Sequence, residues 1–172
     1  MVKYKIILFL IVIPFIIPAC SKSVKKEFWP DGTLKSEIHI RGDFYHGKAT
    51  WWYQNGNKQL ECTYENNLIE GLLTRWHENG IKQEEKNYRR NIPDGSFTTW
   101  NAMGDIQVTG SYRQGMLDGP YKEWYDGRKL KAEGSYRSGE PDRQWIFYDK
   151  SGQIAEIRNY ENGKLVTRTG SQ

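Results

Sequence analysis

Aliphatic core material is scarce in this chain. Hydrophobic residues make up 37% of its 172 residues, and mean hydropathy is -0.80. The length suits one ordinary domain or one repeat array. An excess of one charge is also missing: 25 Lys and Arg stand against 21 Asp and Glu, interspersed along the chain. With no concentrated basic stripe, no nucleic-acid partner is expected. Histidines are few (His39, His46 and His77), and none has a partner at metal-ligand spacing; solvated strand or turn residues are the expectation for all three, and no metal site. No serine sits in a nucleophile elbow and no phosphate loop is present. The expectation is a protein that is not an enzyme, with no catalytic residue and no cofactor. Beyond the first twenty residues, no stretch holds a helical period.

Rings and glycines are abundant instead. Aromatic residues make up 14%, with 7 Trp and 11 Tyr, beside 17 Gly. Such rings bury much area each and favour strands. Phe28, Trp52, Trp76, Trp100, Trp124 and Tyr148 recur at a constant step of 24 residues. A second series, Ile40, Tyr64, Tyr88, Tyr112, Tyr136 and Tyr160, keeps the same step, offset by 12. Two independent series with one period mark a tandem array. Its rings are expected to stack from one unit to the next.

Glycines place the turns. Gly32, Gly56, Gly80, Gly104 and Gly152 share one phase, and Asn55-Gly56 and Asn79-Gly80 read as tight primed hairpin turns. In the fifth copy Asp126-Gly127 comes one residue early, which suggests a shifted turn. A looser turn is expected opposite, around Asp43, Asn67, Asn91, Gly115, Gly139 and Gly163, residue types that enter the left-handed region cheaply. Four residues later stand Gly47, Gly71, Gly95 and Gly119, replaced by Arg143 and Thr167 in the last two copies. Asp94, Asp118 and Asp142 recur beside that glycine position, and turn chemistry accounts for them without a catalytic role.

Between turns, Ile106, Val108, Gly110 and Tyr112 alternate with Asp105, Gln107, Thr109 and Ser111. A period of two with one apolar face denotes a half-buried antiparallel strand. The other strand of each unit is less regular, because Trp76 and Trp100 follow Leu73 and Phe97 by three residues; a bulge or strong curvature would reconcile this. The fold class is therefore all-β: an elongated, single-layer antiparallel meander of about six tandem β-hairpins. The units are 28–51, 52–75, 76–99, 100–123, 124–147 and 148–172. Atypical ends are expected, since terminal units face solvent.

A different segment precedes the array. Lys3 and Lys5 lead into the apolar run Ile6–Ile17, broken only by Pro14 and too short to span a bilayer as a helix. The sequence Ile17-Pro18-Ala19-Cys20 resembles a lipobox. Pro18 departs from the small residue usual at its position. The resemblance implies a signal peptide at 1–19, cleaved before Cys20, with diacylglycerol on the Cys20 sulfur and an acylated amino terminus. It implies export and lipid anchoring to the membrane of a bacterial cell envelope, the outer membrane by the non-acidic Ser21. Residues 20–27 then read as a lipidated polar tether. With Cys20 spent, Cys62 has no internal disulfide partner and is expected to serve as a small strand residue.

The unit Tyr112-Arg-Gln-Gly-Met-Leu-Asp-Gly-Pro-Tyr-Lys-Glu-Trp-Tyr resembles the bacterial variant of the MORN repeat, and Tyr64–Trp76 and Tyr88–Trp100 fit it less fully. The resemblance implies a twisted sheet of consecutive hairpins, a rod of about 55–60 Å for twelve strands. It also implies a protein-binding or scaffold module with a protein partner, antitoxin- or immunity-like. A leader that carries the chain out of the cytoplasm disfavours a simple cytoplasmic antitoxin. The alternative is a module for an envelope glycan or lipid head group, with rings from neighbouring hairpins converging on one cavity. Departures from the repeat mark candidate contact residues: the patch Trp51, Trp52 and Tyr53, the pair Arg89 and Arg90, and the cluster of Trp145, Ile146 and Phe147. Trp, Tyr and Arg are the usual anchors of partner surfaces. Rings that merely cap the sheet are the competing reading.

Overall fold

The computed structural model describes residues 21–126 and 128–170; the leader and Cys20 lie outside the described residues. Its strands are Lys22–Phe28 (β1), Leu34–Arg41 (β2), Phe44–Trp52 (β3), Lys58–Glu65 (β4) and Leu68–Ile69 (β5). Gly71–Trp76 (β6), Lys82–Arg89 (β7), Ile92–Trp100 (β8), Ile106–Arg113 (β9) and Met116–Leu117 (β10) follow. Gly119–Trp124 (β11), Leu130–Arg137 (β12), Glu140–Tyr148 (β13), Ile154–Glu161 (β14) and Lys164–Gly170 (β15) complete the sheet. Thirteen strands lie side by side in chain order, while β5 and β10 are short pieces paired with β4 and β9. Every pairing is antiparallel. This is the open hairpin meander that the alternation of Ile106 to Tyr112 called for, one strand longer at its start. Residues 22–28, which read as tether, form β1 and pair with β2 from Lys22↔Arg41 to Phe28↔Leu34.

The two turn types are the reverse of what the glycines suggested. At the Gly56 position the N–H of Gly56 donates to the Tyr53 carbonyl at 3.0 Å, and that of Tyr53 to the Asn57 carbonyl at 2.9 Å. Gly56 has φ +88°, whereas Asn55 is not in the left-handed region. This is a three-residue type I turn closed by a glycine bulge, not a primed turn. The supposedly looser turns are the tight ones. Asn66 and Asn67 have φ of 51° and 67°, and Arg90 and Asn91 repeat those values. Two positive-φ residues are what a type I′ turn requires. Gly42 replaces Asp43 as the left-handed residue in the first of them, with φ +60°.

The fifth copy does not shift its turn. Tyr125 N–H still donates to the Lys129 carbonyl at 2.8 Å, and Arg128 occupies the left-handed position in phase with Gly104 and Gly152, at φ 67°. A Cβ there is strained by about 1–2 kcal/mol. Arg128→Gly removes that strain, partly offset by extra freedom in the unfolded chain. The ion pair lost with it, to Asp105 at 2.6 Å, is surface-exposed and contributes little. A rise in unfolding free energy of up to ~1 kcal/mol is expected in urea melts; a fall would contradict the assignment of the turn.

Bulges settle the irregular strand. Ile38 pairs with Ala49 and Ile40 with Tyr45, so His46, Gly47 and Lys48 stand opposite His39 alone. A Cβ on Gly47 would lie 3.3 Å from the Cβ of His39, so glycine allows the close approach. The same bulge recurs in β8 opposite Asn87 and in β13 opposite Gly134. A second shift, between Arg75 and Trp76, lies next to the three-residue turn. Together they explain why apolar residues in this strand do not keep a period of two.

One face of the sheet is apolar. Its middle row runs Ile38, Ala49 and Cys62 across β2 to β4 by register, then Leu73, Lys86, Phe97 and Gly110 across β6 to β9. Tyr121 then faces Gly134, and Trp145 faces Arg158. Ile38, Ala49, Cys62 and Leu73 form one buried cluster, flanked by Tyr45, Trp51, Leu60, Tyr64, Ile69 and Tyr88. Further along, large rings pack over glycines. A Cβ on Gly134 would lie 2.5 Å from Cε2 and 2.6 Å from Cγ of Trp145; one on Gly110 would lie 2.6 Å from Cε1 of Phe97. Ring pairs join the tyrosine series to this row: Phe97–Tyr112 at 5.0 Å, Tyr121–Tyr136 at 5.3 Å and Tyr136–Trp145 at 5.0 Å between centroids. The tryptophan series does not stack upon itself; the ammonium groups of Lys58 and Lys82 lie over Trp76 and Trp100 at 5.3 and 5.8 Å. The opposite face carries exposed ion pairs such as Lys26–Glu37, Lys48–Glu61 and Lys122–Glu133.

Candidate functional site: an aromatic groove on the apolar face

The residues singled out by their departure from the repeat fall in separate places. Trp51, half-buried, lies on the apolar face beside the N-terminal cluster. Register aligns it with Leu60 on β4 and, through Leu60, with Arg75 on β6. These three, with Cys62, Tyr64, Ile69 and Leu73, line a shallow groove of about 360 Å³. Its floor is Cys62 and Leu73, at 2% and 3% exposure. Its walls are the Trp51 and Tyr64 rings, from neighbouring hairpins. Arg75 stands at the rim, half-exposed and 3.5 Å from Glu84.

Trp52 and Tyr53 do other work. The Trp52 carbonyl accepts a hydrogen bond from Trp29 Nε1 at 3.3 Å, and Tyr53 Oη donates to the Trp76 carbonyl at 2.8 Å. His77 Nε2 meets the Trp100 carbonyl at 3.0 Å, and Tyr125 Oη donates to the Tyr148 carbonyl at 3.0 Å. A carbonyl only accepts, so His77 carries its proton on Nε2. Trp29, Tyr53, His77 and Tyr125 share one phase, and each reaches the backbone of the next unit. His77 is thus a structural donor and not the solvated residue its sequence context suggested. Asn101, in the same phase, turns its Oδ1 to its own loop, accepting from Met103 N and Asp105 N; its Nδ2 is buried without a partner.

Arg89 and Arg90 end β7 and enter the type I′ turn, where Arg90 N–H donates to the Glu70 carboxylate at 2.9 Å. Neither lines the Trp51 groove. Trp145 is 5% exposed, its Nε1 donating to the Ser135 carbonyl at 3.0 Å; it is a core pillar with little surface to offer. Phe147 stacks on it at 6.1 Å and is covered by the Arg158 guanidinium at 4.4 Å. Leu60, Tyr64, Ile69, Leu73 and Arg75 were not foreseen as groove residues. Counting outward from the Gly56 turn would set Gln59 opposite Trp51; the register shift between Trp51 and Trp52 moves the partner to Leu60, and no sequence signal announced it.

Burial pushes the Cys62 thiol up to about 11 and the Tyr64 phenol up to about 12. A thiol so raised is neutral at physiological pH and a poor nucleophile. Cys62 is buried and free. No group of three or more His, Cys, Asp or Glu among the described residues is placed to hold a metal ion. Among the described residues no helix is long and apolar enough to cross a membrane. What the arrangement offers is a ringed, dry-floored surface suited to binding.

An open sheet of stacked hairpins whose every unit bonds to the next is a repeat-built binding or scaffold module. The MORN repeat variant model matches residues 24–41, 45–66, 69–90 and 144–162, and the chain belongs to that family. The matches fall on the first three units and the last, so the stretch Tyr112–Tyr125, which carried the resemblance in the sequence, lies between them. The first match begins within β1, in keeping with that strand's place in the array. No curated protein matches the chain.

Proposed function

We propose that the protein is an envelope-facing MORN-type lipoprotein, anchored through lipid on Cys20, that captures a partner protein in the groove between Trp51, Tyr64 and Arg75. The observation carrying this reading is the groove: the Trp51 and Tyr64 rings flank a buried apolar floor, with an arginine at the rim. Buried aromatic anchors beside arginine are where binding energy concentrates. An immunity-like role, neutralising a partner at the envelope, fits a chain exported by its leader. A second reading follows from the same two rings lining one groove, against which an envelope glycan or lipid head group could pack.

Capture from the native organism by wild-type protein, Trp51→Ala and Arg75→Ala tests the groove. A specific partner retained by wild type and lost about tenfold by Trp51→Ala, the size of a single hot-spot residue, is expected. Equal retention by all three would reject the groove as the contact surface. Cys20→Ala should move the protein from the membrane to the soluble fraction; unchanged membrane association would reject the lipid anchor.

A further inference from the structure

A second pocket lies where β1, β2 and the first bulge meet, on the face that carries the ion pairs. It has a volume of about 280 Å³, and Lys22, Ser23, His39, Arg41 and His46 line it. The fourth and fifth units show what ordinarily occupies this position. There the residue matching His46 is Asp118 or Asp142, and the residue matching Arg41 is Arg113 or Arg137. Arg113 pairs with Asp118 at 3.1 Å and Arg137 with Asp142 at 3.0 Å. In the first unit the carboxylate is replaced by an imidazole. Neither Arg41 nor Lys22 has an acidic partner among the described residues, and His46 Nδ1 is buried with no hydrogen-bond partner. His39 lies 3.7 Å from Glu37, a carboxylate that Lys26 already holds at 2.9 Å. A buried ring nitrogen without a partner and an arginine stripped of its carboxylate together describe a site short of one oxyanion.

We infer that this pocket binds a phosphate-class oxyanion, which takes the place of the missing carboxylate. The Arg41 guanidinium offers a planar fork of donors, Lys22 an ammonium and His46 an Nδ1–H in the tautomer that protonates it. A phosphate group sets its oxygens tetrahedrally about phosphorus and so meets donors from Arg41, Lys22 and His46 that arrive from different directions, which a planar carboxylate does less well. The source of the group is either free phosphate or a lipid phosphodiester. Lys22 is two residues from Cys20, a chain length of at most about 7 Å, so on the lipoprotein reading the pocket lies at head-group level. The site itself does not depend on that reading.

The test uses the chain from Ser21 onward, which contains every described strand and carries no acyl chain. Its two arms are calorimetric titration with inorganic phosphate and flotation with vesicles of phosphatidylcholine alone or with added phosphatidylglycerol. His46→Asp restores the carboxylate of the sibling units beside Arg41, so it should melt no lower than wild type yet bind at least tenfold more weakly. Arg41→Gln should weaken binding alike, and Lys164→Gln, at the far end, should change nothing. Phosphate binding lost in both pocket variants supports the site with free phosphate as source. Binding confined to phosphatidylglycerol vesicles, again lost in both variants, supports it with lipid as source. Equal binding by His46→Asp and wild type, or no binding of either probe by wild type, overturns the proposal. Failure of Cys20→Ala to leave the membrane would bear on the anchor alone.

Discussion

Trp145→Ala should lower the unfolding free energy by about 3–5 kcal/mol, the range for deleting a large buried ring. Trp145 is nearly sealed from solvent. Its ring contacts Tyr121, Tyr136 and Phe147, with centroids 5.7, 5.0 and 6.1 Å away, and its indole N–H satisfies the Ser135 carbonyl. Truncation removes these contacts, leaves a cavity over Gly134 and orphans a backbone acceptor. Because each strand contacts only its neighbours, the damage should be local. Hydrogen exchange in β12 to β14 should accelerate while β2 to β6 keep their protection. A loss below 1 kcal/mol, or uniform loss of protection, would show that the ring is not the pillar described.

Gly134→Val should be nearly as damaging, about 3 kcal/mol or somewhat more, for the complementary reason. In an ordinary strand this change is favourable, since valine exceeds glycine in β-propensity by up to about 1 kcal/mol. Here the new Cβ alone would overlap the indole, lying 2.5 Å from Cε2, and steric cost outweighs propensity. The sign therefore depends on the ring. In a Trp145→Ala background the same substitution has room, and its cost should fall to near zero or reverse. Residues in contact are expected to depart from additivity in this way. Denaturant melts of the two single variants and the double variant measure the coupling; strict additivity would contradict the ring-over-glycine packing.

The array was legible in the sequence because two ring series kept one period, and a period-two alternation such as Ile106 to Tyr112 has one structural meaning. The turns were harder to read. Asn55-Gly56 carries the residue types of a primed turn, yet the neighbouring bulge leaves only the glycine left-handed. Arg90, Gln114 and Ser138 take positive φ in tight turns although none advertises it; the flanking strands impose the conformation. Arg128 misled for the same reason, since Gly127 beside it was the natural candidate for the strained position.

The candidate site was legible only in part. Trp51 stood out because other units have Arg75, Thr99 or Glu123 there, and it does line the groove. Trp145 stood out equally and is buried, because a departure from the repeat can fill a core gap as readily as mark a surface. Tyr53 and His77 went unrecognised as a series because their phase mixes Trp29, Tyr53, His77 and Tyr125, alike only in the ability to donate a hydrogen bond to the next unit. His46 was passed over while counted as one histidine among three; its meaning came from comparing it with Asp118 and Asp142 once their arginine partners were in view.

Strand order in this sheet is simply chain order, with each pairing made to the segment just before or just after. No pairing has to await a distant part of the polypeptide, so closing each loop carries little entropic penalty. Such a protein can assemble vectorially: as each two dozen residues emerge from a ribosome or a translocation pore, they can zip onto the edge already laid down. An array built this way tolerates gain or loss of whole units far better than change within one, and its length becomes an adjustable property of the gene.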